Sequence, residues 1–395
     1  MVGGVERVVQ AVSERLVGRG HDVSVLTFDV ASKRDFYSGP GAGLPPRDRL
    51  NGVRIFRVSP AGTLDRIHRW WLRMPGGWRT TTWLAGDEEL WPFERPSGLS
   101  MVMPLALIGA DVITSVNWGY PPAFWASRRN LRRRPHVAVP VLHIERPWAQ
   151  KPVYTRMLGD SDAVIVFTDA EGDFVRARGA REIAVAGAGV DPDRYAHRDG
   201  ARIRALYGVG DRPLVGFVGR QETAKGAPTL IEAMRIVWRQ VPNAVLLMAG
   251  QRAHREQAVA TMLDALSVDD RGRVVLIDDF ADDDGPSILD ACDVIALPSV
   301  EESFGMVMIE AWMCGTPVIG ADIPSTRCII ESGEDGFVAK PFDPADLAEK
   351  ILDLLADPAK RARFGEQGRA KVLSRYTWDR VTDVWEATLR KAAAR

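Results

Sequence analysis

Twelve short runs of apolar, largely β-branched residues recur along the chain, with helical patterns between them. Continuous apolar runs are typical of parallel strands buried on both faces, and helices then form the crossovers between them. We therefore predict an α/β fold with two Rossmann-like, doubly wound parallel sheets. Two domains of comparable size suit a chain of 395 residues. The predicted strands are residues 23–28, 53–58, 112–116, 137–142, 163–167, 183–186, 214–218, 244–248, 274–277, 294–297, 317–320 and 337–339.

Glycine and proline punctuate the pattern between Gly187 and Pro192, which predicts a domain boundary there. We expect an N-terminal domain over residues 1–190 and a C-terminal domain over 191–376. The last segment, 377–395, is amphipathic, and we expect it to cross back and pack on the first domain.

The chain starts with Gly3-Gly4-Val5-Glu6, a glycine turn of the kind that normally follows a first strand and opens a helix. No strand precedes this turn. We therefore expect the N-terminal sheet to lack its first strand, through a misassigned start codon or a truncation, which would cost stability.

Composition excludes several classes of protein. The net charge of −1 produces no global field that favours nucleic acid. The three cysteines form no zinc-binding pair, and the longest apolar run, residues 99–110, contains Pro104 and is too short to span a bilayer. The start does not resemble a signal peptide. These features predict a cytoplasmic protein.

The strongest motif follows the predicted strand at 294–297, where Gly305 opens a helix. Ligands of open α/β sheets bind at this carboxyl edge. The N–H groups of Met306 and Val307 would face a phosphate at the helix start. Glu310, one turn later, is placed to accept hydrogen bonds from ribose hydroxyls. Glu302 is placed to accept hydrogen bonds from the hydroxyls of a sugar. Two carboxylates at this spacing are common by chance, but their position at a strand–glycine–helix junction is more specific.

A second motif ends the strand at 214–218, where Gly219-Arg220 is followed by Lys225-Gly226 and a helix from about Ala227. Two cations here would neutralise a diphosphate and stabilise it as a leaving group. The alternative is a solvated basic pair, which a helix N-terminus disfavours.

These motifs, in this order and followed by Gly315-Thr316-Pro317-Val318, resemble the signature of the retaining GT-B glycosyltransferases of family four. That group includes phosphatidylinositol mannosyltransferases and sucrose-phosphate synthases. The resemblance covers nearly the whole chain. It implies two domains that face a cleft, and transfer of a sugar from a nucleotide-diphosphate donor with retention of configuration by front-face attack.

The resemblance also implies roles for individual residues. Arg220 and Lys225 would hold the diphosphate, and Glu310 the ribose. Glu302 and the backbone at Phe304–Gly305 would bind the transferred sugar. His143, at the end of the predicted strand 137–142, matches the family's histidine near the reaction centre, although a strand-end histidine is otherwise more often structural. Gly3 and Gly4 match a glycine loop close to the donor phosphates.

Several alternatives remain open at the sequence level. Glu302 could instead be a covalent nucleophile. No Asp-x-Asp metal motif lies near the donor loops, so we expect neither a metal nor a cofactor. The acidic run 282–284 is interpreted as a helix start in preference to a magnesium site. The resemblance implies a UDP- or GDP-sugar as donor, and Asp279 is a candidate contact for guanine.

The acceptor is also open, as a lipid, a polysaccharide or a small metabolite. Trp70, Trp71, Trp78, Trp83 and Trp91 could stack on it or fill a subdomain core.

The basic segment from Arg128 to Arg134 follows Trp118, Phe124 and Trp125, and is either a peripheral membrane contact at the inner face or a solvated helix end. Two other functions compete with a transferase: a nucleotide-sugar-binding protein impaired in catalysis, and a GT-B nucleotide-sugar epimerase.

Overall fold

A computed structural model describes residues 3–30, 41–59, 99–107, 109–118, 121–127, 134–251, 258–278 and 280–395. The chain divides into two compact units. The N-terminal unit consists of Gly4–Ala186 and Thr382–Arg395, and the C-terminal unit of Gly187–Val381 together with Gly3.

The N-terminal unit contains two sheets. The first has the order β1–β3–β2, with β1 and β3 parallel and β2 antiparallel, and the second has the parallel order β4–β5–β6–β7. Within the described ranges no strand joins the two sheets. The strands are β1 Ser24–Phe28, β2 Arg47–Leu50, β3 Val53–Val58, β4 Ile113–Val116, β5 His136–Val139, β6 Ala163–Val166 and β7 Ile183–Val185.

Helices of this unit pack their apolar residues against the sheets. Val8, Val12 and Leu16 of the first helix are buried, as the 3.6-residue period predicts. A 3₁₀ turn covers Pro147–Gln150. The helices are α1 Gly4–Gly18, α2 Leu99–Leu107, α3 Pro121–Ser127, α4 Pro152–Asp160 and α5 Asp169–Arg176.

The C-terminal unit contains one parallel sheet of six strands in the order β10–β9–β8–β11–β12–β13. This order reverses between β8 and β11, as in doubly wound dinucleotide-binding folds, where ligands bind at the reversal. β8, β9, β11 and β12 are buried along their whole length. The strands are β8 Leu214–Val218, β9 Val245–Ala249, β10 Val274–Ile277, β11 Val294–Leu297, β12 Val318–Ala321 and β13 Gly336–Ala339.

Helices alternate with these strands, and short 3₁₀ turns lie at Pro192–Tyr195, Thr223–Lys225 and Asp282–Asp284. The helices are α6 Gly200–Leu206, α7 Ala227–Gln240, α8 Ala258–Asp264, α9 Val268–Arg271, α10 Gly285–Ala291, α11 Met306–Met313, α12 Pro324–Arg327, α13 Pro344–Ala356 and α14 Pro358–Arg375.

One last helix, α15 (Trp378–Ala393), belongs to both units. Its start lies in the C-terminal unit, where Trp378 packs against Gly189. Its remainder lies in the N-terminal unit, where Glu386 accepts from Arg19 Nη1 at 2.7 Å and lies 2.8 Å from His21 Nε2. At the C-terminal end of this segment, Glu182 forms ion pairs with Lys391 and Arg395.

The α/β fold class and all twelve predicted strands are confirmed, with shifts of a residue or so at most ends. The prediction for 137–142 is wrong over its last three residues, because β5 ends at Val139 and Val141 has a φ of 55°. β2 was not predicted. Among the helices of the described residues, none is both long and apolar enough to cross a membrane.

Candidate functional site

Three turns meet at the carboxyl edge of the C-terminal sheet, after β8, β9 and β11. Gly250 has a φ of 131°, and a Cβ there would lie 2.2 Å from the Gly219 carbonyl oxygen. Gly226 has a φ of 77°, and a Cβ there would lie 2.1 Å from the Pro298 carbonyl oxygen. Only glycine allows such backbone contact in a left-handed conformation. Gly226 therefore brings the two predicted motifs together, and Gly250 adds the turn after β9.

Lys225 and Glu302, one from each motif, form an ion pair. Lys225 Nζ lies 2.8 Å from Glu302 Oε2 and 3.3 Å from the Glu301 carbonyl oxygen. The loops are also joined by a hydrogen bond from Val300 N to the Ala224 carbonyl oxygen at 3.1 Å. Both side chains of the pair are mostly buried, at 22% and 19% exposure. The ammonium and the carboxylate are therefore fixed next to each other beside the start of α11.

Arg220 has a partner that the sequence did not indicate. Its Nη1 donates to Glu222 Oε1 at 2.6 Å, and 44% of the Arg220 side chain is exposed. The acid two residues after Arg220 was readable in the sequence, but an acid in a loop is too common to stand out. A diphosphate that binds Arg220 must compete with this carboxylate.

The start of α11 is built as predicted. Gly305 is the residue before the helix and has a φ of 92°. Met306 and Val307 are the first two helical residues, so their N–H groups have no acceptor within the helix. The aligned peptide dipoles add positive potential at this end. Glu310, half-buried, lies in the next turn.

Phe304 is placed differently from the other residues of this motif. Its side chain is 2% exposed, and its ring packs edge-on against Tyr376 with centroids 5.3 Å apart. The ring therefore belongs to the core, and only the backbone of Phe304 can contact a ligand.

His143 lies in the N-terminal unit, in the turn that follows β5. The prediction that His143 ends the strand is wrong, because Pro140, Val141 and Leu142 lie between the end of β5 and His143. The His143 side chain is half-buried, and its carbonyl accepts from Arg146 N at 2.9 Å. Gly4 begins α1 in this same unit, and Gly3 precedes it. The structure thus groups Arg220, Lys225, Glu302 and α11 in one unit, and His143 and Gly4 in the other.

The acidic run 282–284 forms a single turn ahead of α10, as interpreted from the sequence. Asp282 lies 3.8 Å from Arg194, and Asp284 pairs with Arg202. Across the described ranges, no group of three or more histidine, cysteine, aspartate or glutamate side chains could hold a metal ion. The thiols of Cys292 and Cys314 are buried, and burial raises the pKa of both.

Several predicted contacts fall outside the described residues. These are Asp279, the five tryptophans from Trp70 to Trp91, and the basic segment except for Arg134. The aromatic residues ahead of that segment are described. Trp118 and Phe124 are 0% and 4% exposed, so their rings pack in the core. These two rings do not support a membrane contact.

Known proteins resemble the chain over its whole length. The family profile described as Glycosyl transferase 4-like domain matches residues 3–189, and that described as Glycosyl transferases group 1 matches residues 202–371. A D-inositol 3-phosphate glycosyltransferase of Saccharomonospora viridis is 25% identical, over 99% of this chain and 90% of its own.

Solved structures show the same fold. A sucrose-phosphate synthase from Thermosynechococcus elongatus superposes with a TM-score of 0.76 at 22% identity, over 100% of this chain and 94% of its own. Anabaena Alr3699/HepE, in complex with UDP-glucose, superposes with a TM-score of 0.71 at 21% identity, over 99% of this chain and 97% of its own. The fold is that of two Rossmann-like domains.

Proposed function

The chain belongs to the family-four glycosyltransferases of the GT-B fold, and from that premise we propose that it transfers a sugar from a UDP- or GDP-linked donor with retention of configuration. The observation that carries this proposal is the backbone contact between Gly226 and Pro298, which sets Lys225 and Glu302 beside the first turn of α11. Arg220, on the same loop, lies at the same sheet edge.

The donor diphosphate would lie between the two cations and the N–H groups of Met306 and Val307. When the bond from the anomeric carbon to phosphate breaks, the leaving diphosphate gains negative charge. Arg220, Lys225 and the positive end of α11 would stabilise that charge, once the diphosphate has displaced the carboxylates of Glu222 and Glu302 from the two cations. We propose on this ground that no cofactor is required. Glu310 would accept hydrogen bonds from the ribose hydroxyls.

Retention of configuration would follow if the acceptor attacks the anomeric carbon on the same face from which the leaving group departs. The acceptor oxygen forms its bond to the anomeric carbon while the bond to the diphosphate breaks, and a phosphate oxygen takes the acceptor proton. Glu302 would bind hydroxyls of the transferred sugar. Its ion pair with Lys225 supports this role over that of a covalent nucleophile, since a paired carboxylate is a weaker nucleophile. His143 would act on the transferred sugar, and Gly3 and Gly4 would bind the donor phosphates.

A thermal-shift panel of UDP, GDP and their sugars tests the donor site. A ligand at about one hundred times its dissociation constant stabilises the fold by about 2.7 kcal/mol, or about 5–10 °C for a unit of this size. Glu310→Ala should abolish most of this shift for the true donor. Glu366→Ala, which removes an exposed acid of the same unit, is the matched control and should keep the shift. An unchanged shift in Glu310→Ala would contradict the ribose contact.

Mass spectrometry of the products then detects transfer, and NMR coupling constants give the configuration of the sugar, which mass alone does not distinguish. We expect release of the nucleoside diphosphate and transfer of the sugar to an acceptor with the donor's anomeric configuration. The name of the Saccharomonospora relative makes D-inositol 3-phosphate the first acceptor to test, followed by lipid, polysaccharide and small-metabolite acceptors. Binding without turnover would favour an impaired binding protein, and a 2-epimer of the donor sugar would favour an epimerase.

A further inference from the structure

A buried carboxylate lies directly behind the turn that leads to His143. Glu171, the third residue of α5, is 1% exposed. Its Oε1 accepts from Leu142 N at 2.8 Å, and its Oε2 accepts from Phe167 N at 2.8 Å. The Val141 N–H also faces this carboxylate and acts to lower its pKa. Three backbone N–H groups, two of them in the turn after β5, therefore converge on one side chain.

The turn itself is strained. Val141 is 6% exposed and has a φ of 55°, a conformation that a β-branched residue rarely adopts. Strain of this kind persists only when the surroundings impose it, and it concentrates at functional sites. Successive N–H groups around a left-handed residue form a concavity that binds an anion. Here the anion is the Glu171 carboxylate, which lies 29 residues further along the chain than Leu142.

A charged group is costly at this position. Burial raises the pKa of Glu171 to about 7, while hydrogen bonds from Phe167, Leu142 and Val141 act in the opposite direction. An apolar side chain would avoid that cost but would leave the Leu142 and Phe167 N–H groups without this acceptor. Capping of α5 does not account for the carboxylate, because Thr168 Oγ1 already accepts from Glu171 N at 3.2 Å.

We infer that Glu171 is a positioning residue, which holds the left-handed turn at Val141 and so sets the place of His143 at the edge of the N-terminal sheet. This inference rests on the proposed function, in which His143 acts on the transferred sugar. The link is short, because Leu142, whose N–H Glu171 binds, is adjacent to His143. A loop that lost the bond from Leu142 N would relax at Val141 and carry His143 with it.

Glu171→Gln tests the inference in the full-length protein. Glutamine keeps the size of the side chain, but its amide nitrogen would face a backbone N–H where an oxygen now accepts. Thr168→Val is the matched control, because it removes a hydrogen bond from the same helix start and leaves both acceptor oxygens in place. We expect Glu171→Gln to lower kcat about 10- to 100-fold with the donor KM within about twofold, since small displacements of a reacting group have effects of that size. Thr168→Val should keep kcat within about threefold.

A double-mutant cycle with His143→Ala separates positioning from general structural damage. If Glu171 acts through His143, then adding Glu171→Gln to the His143→Ala variant should change kcat by less than about threefold. A full loss in that background, or equal kcat values for Glu171→Gln and Thr168→Val, would overturn the inference.

Hydrogen exchange of the turn is independent of activity. Glu171→Gln should speed exchange of the Val141 and Leu142 amides about tenfold or more, and Thr168→Val should leave these amides unchanged. Protection retained in Glu171→Gln would refute the role of Glu171. Wild-type kcat in His143→Ala would instead refute the role proposed for His143, so the two failures are distinguishable.

Discussion

Gly226→Ala is the sharpest test of how the donor site is assembled. A Cβ at this position would lie 2.1 Å from the Pro298 carbonyl oxygen, whereas real Cβ atoms keep at least 3.0 Å. One of the two loops must therefore move by about 1 Å, a displacement that can cost about 100-fold in rate when it affects bound reactants. Overpacking of this kind costs about 1–3 kcal/mol, in addition to about 1–2 kcal/mol for a left-handed alanine.

Gly208→Ala is the matched control, because Gly208 is an exposed residue of the same unit with a φ of 62° and no neighbour within 4 Å of an added Cβ. It introduces the left-handed strain without the clash. Thermal unfolding should place Gly226→Ala about 5 °C below Gly208→Ala, from about 2–4 °C per kcal/mol. Only Gly226→Ala should lose the thermal shift with nucleoside diphosphate. Equal melting temperatures and equal ligand shifts in the two variants would refute the reasoning.

The remaining predictions concern charge. Glu222→Gln should release Arg220 from its carboxylate and tighten nucleoside diphosphate binding up to about fivefold at low salt, a modest gain because the pair is partly exposed. Calorimetric titration would measure this, and weaker binding would contradict the competition. The raised pKa of Glu171, about 7 against an ordinary 4.5, means that the folded state holds this proton more tightly than the unfolded state. The stability of the wild type relative to Glu171→Gln should therefore fall by roughly 3 kcal/mol as the pH rises from about 4.5 to above 7. Urea unfolding of both proteins at several pH values checks the direction of this change. A rise in the relative stability of the wild type with increasing pH would contradict the prediction.

Buried parallel strands were readable from the sequence because both of their faces are apolar. β8 and β9 are buried at every position, so their letters form unbroken apolar runs. β2 was missed for the opposite reason. All four of its residues are exposed, and its sequence, Arg-Asp-Arg-Leu, carries no alternation. The only local signal was the Asn51-Gly52 pair, with φ values of 47° and 86°, which is typical of a tight hairpin turn.

The end of β5 had one local signal, Pro140, which has no N–H to donate within a central strand, but the turn after it had none. Val141 and Leu142 extend an apolar run, so the pattern continues into them. The left-handed turn that follows Pro140 is held by Glu171, which is distant in sequence and accepts from Leu142 N at 2.8 Å. Glu171 itself resembles an ordinary acid in a first helical turn. The role of Glu171 depends on a contact between the connection after β5 and the connection after β6. Hydrophobic periodicity along the sequence carries no information about such a contact.

The donor motifs were predictable because glycine and charge stand at the ends of buried strands. Gly226 and Gly305 both adopt left-handed conformations, and both lie where the sequence placed a turn. The ion pairs that these charged side chains form were not predictable. Lys225 pairs with Glu302 and Arg220 with Glu222, and such pairing depends on side-chain reach across loops. The sequence therefore indicated which residues lie at the site but not how they neutralise one another.

Helix α15 determines how this chain can be cut into separate proteins. A break at Gly187 alone would yield a first fragment without residues 382–395, so Arg19 and His21 would lose Glu386, and Glu182 would lose Lys391 and Arg395. An N-terminal fragment meant for separate expression should therefore carry those fourteen residues, either grafted through a linker or supplied as a peptide.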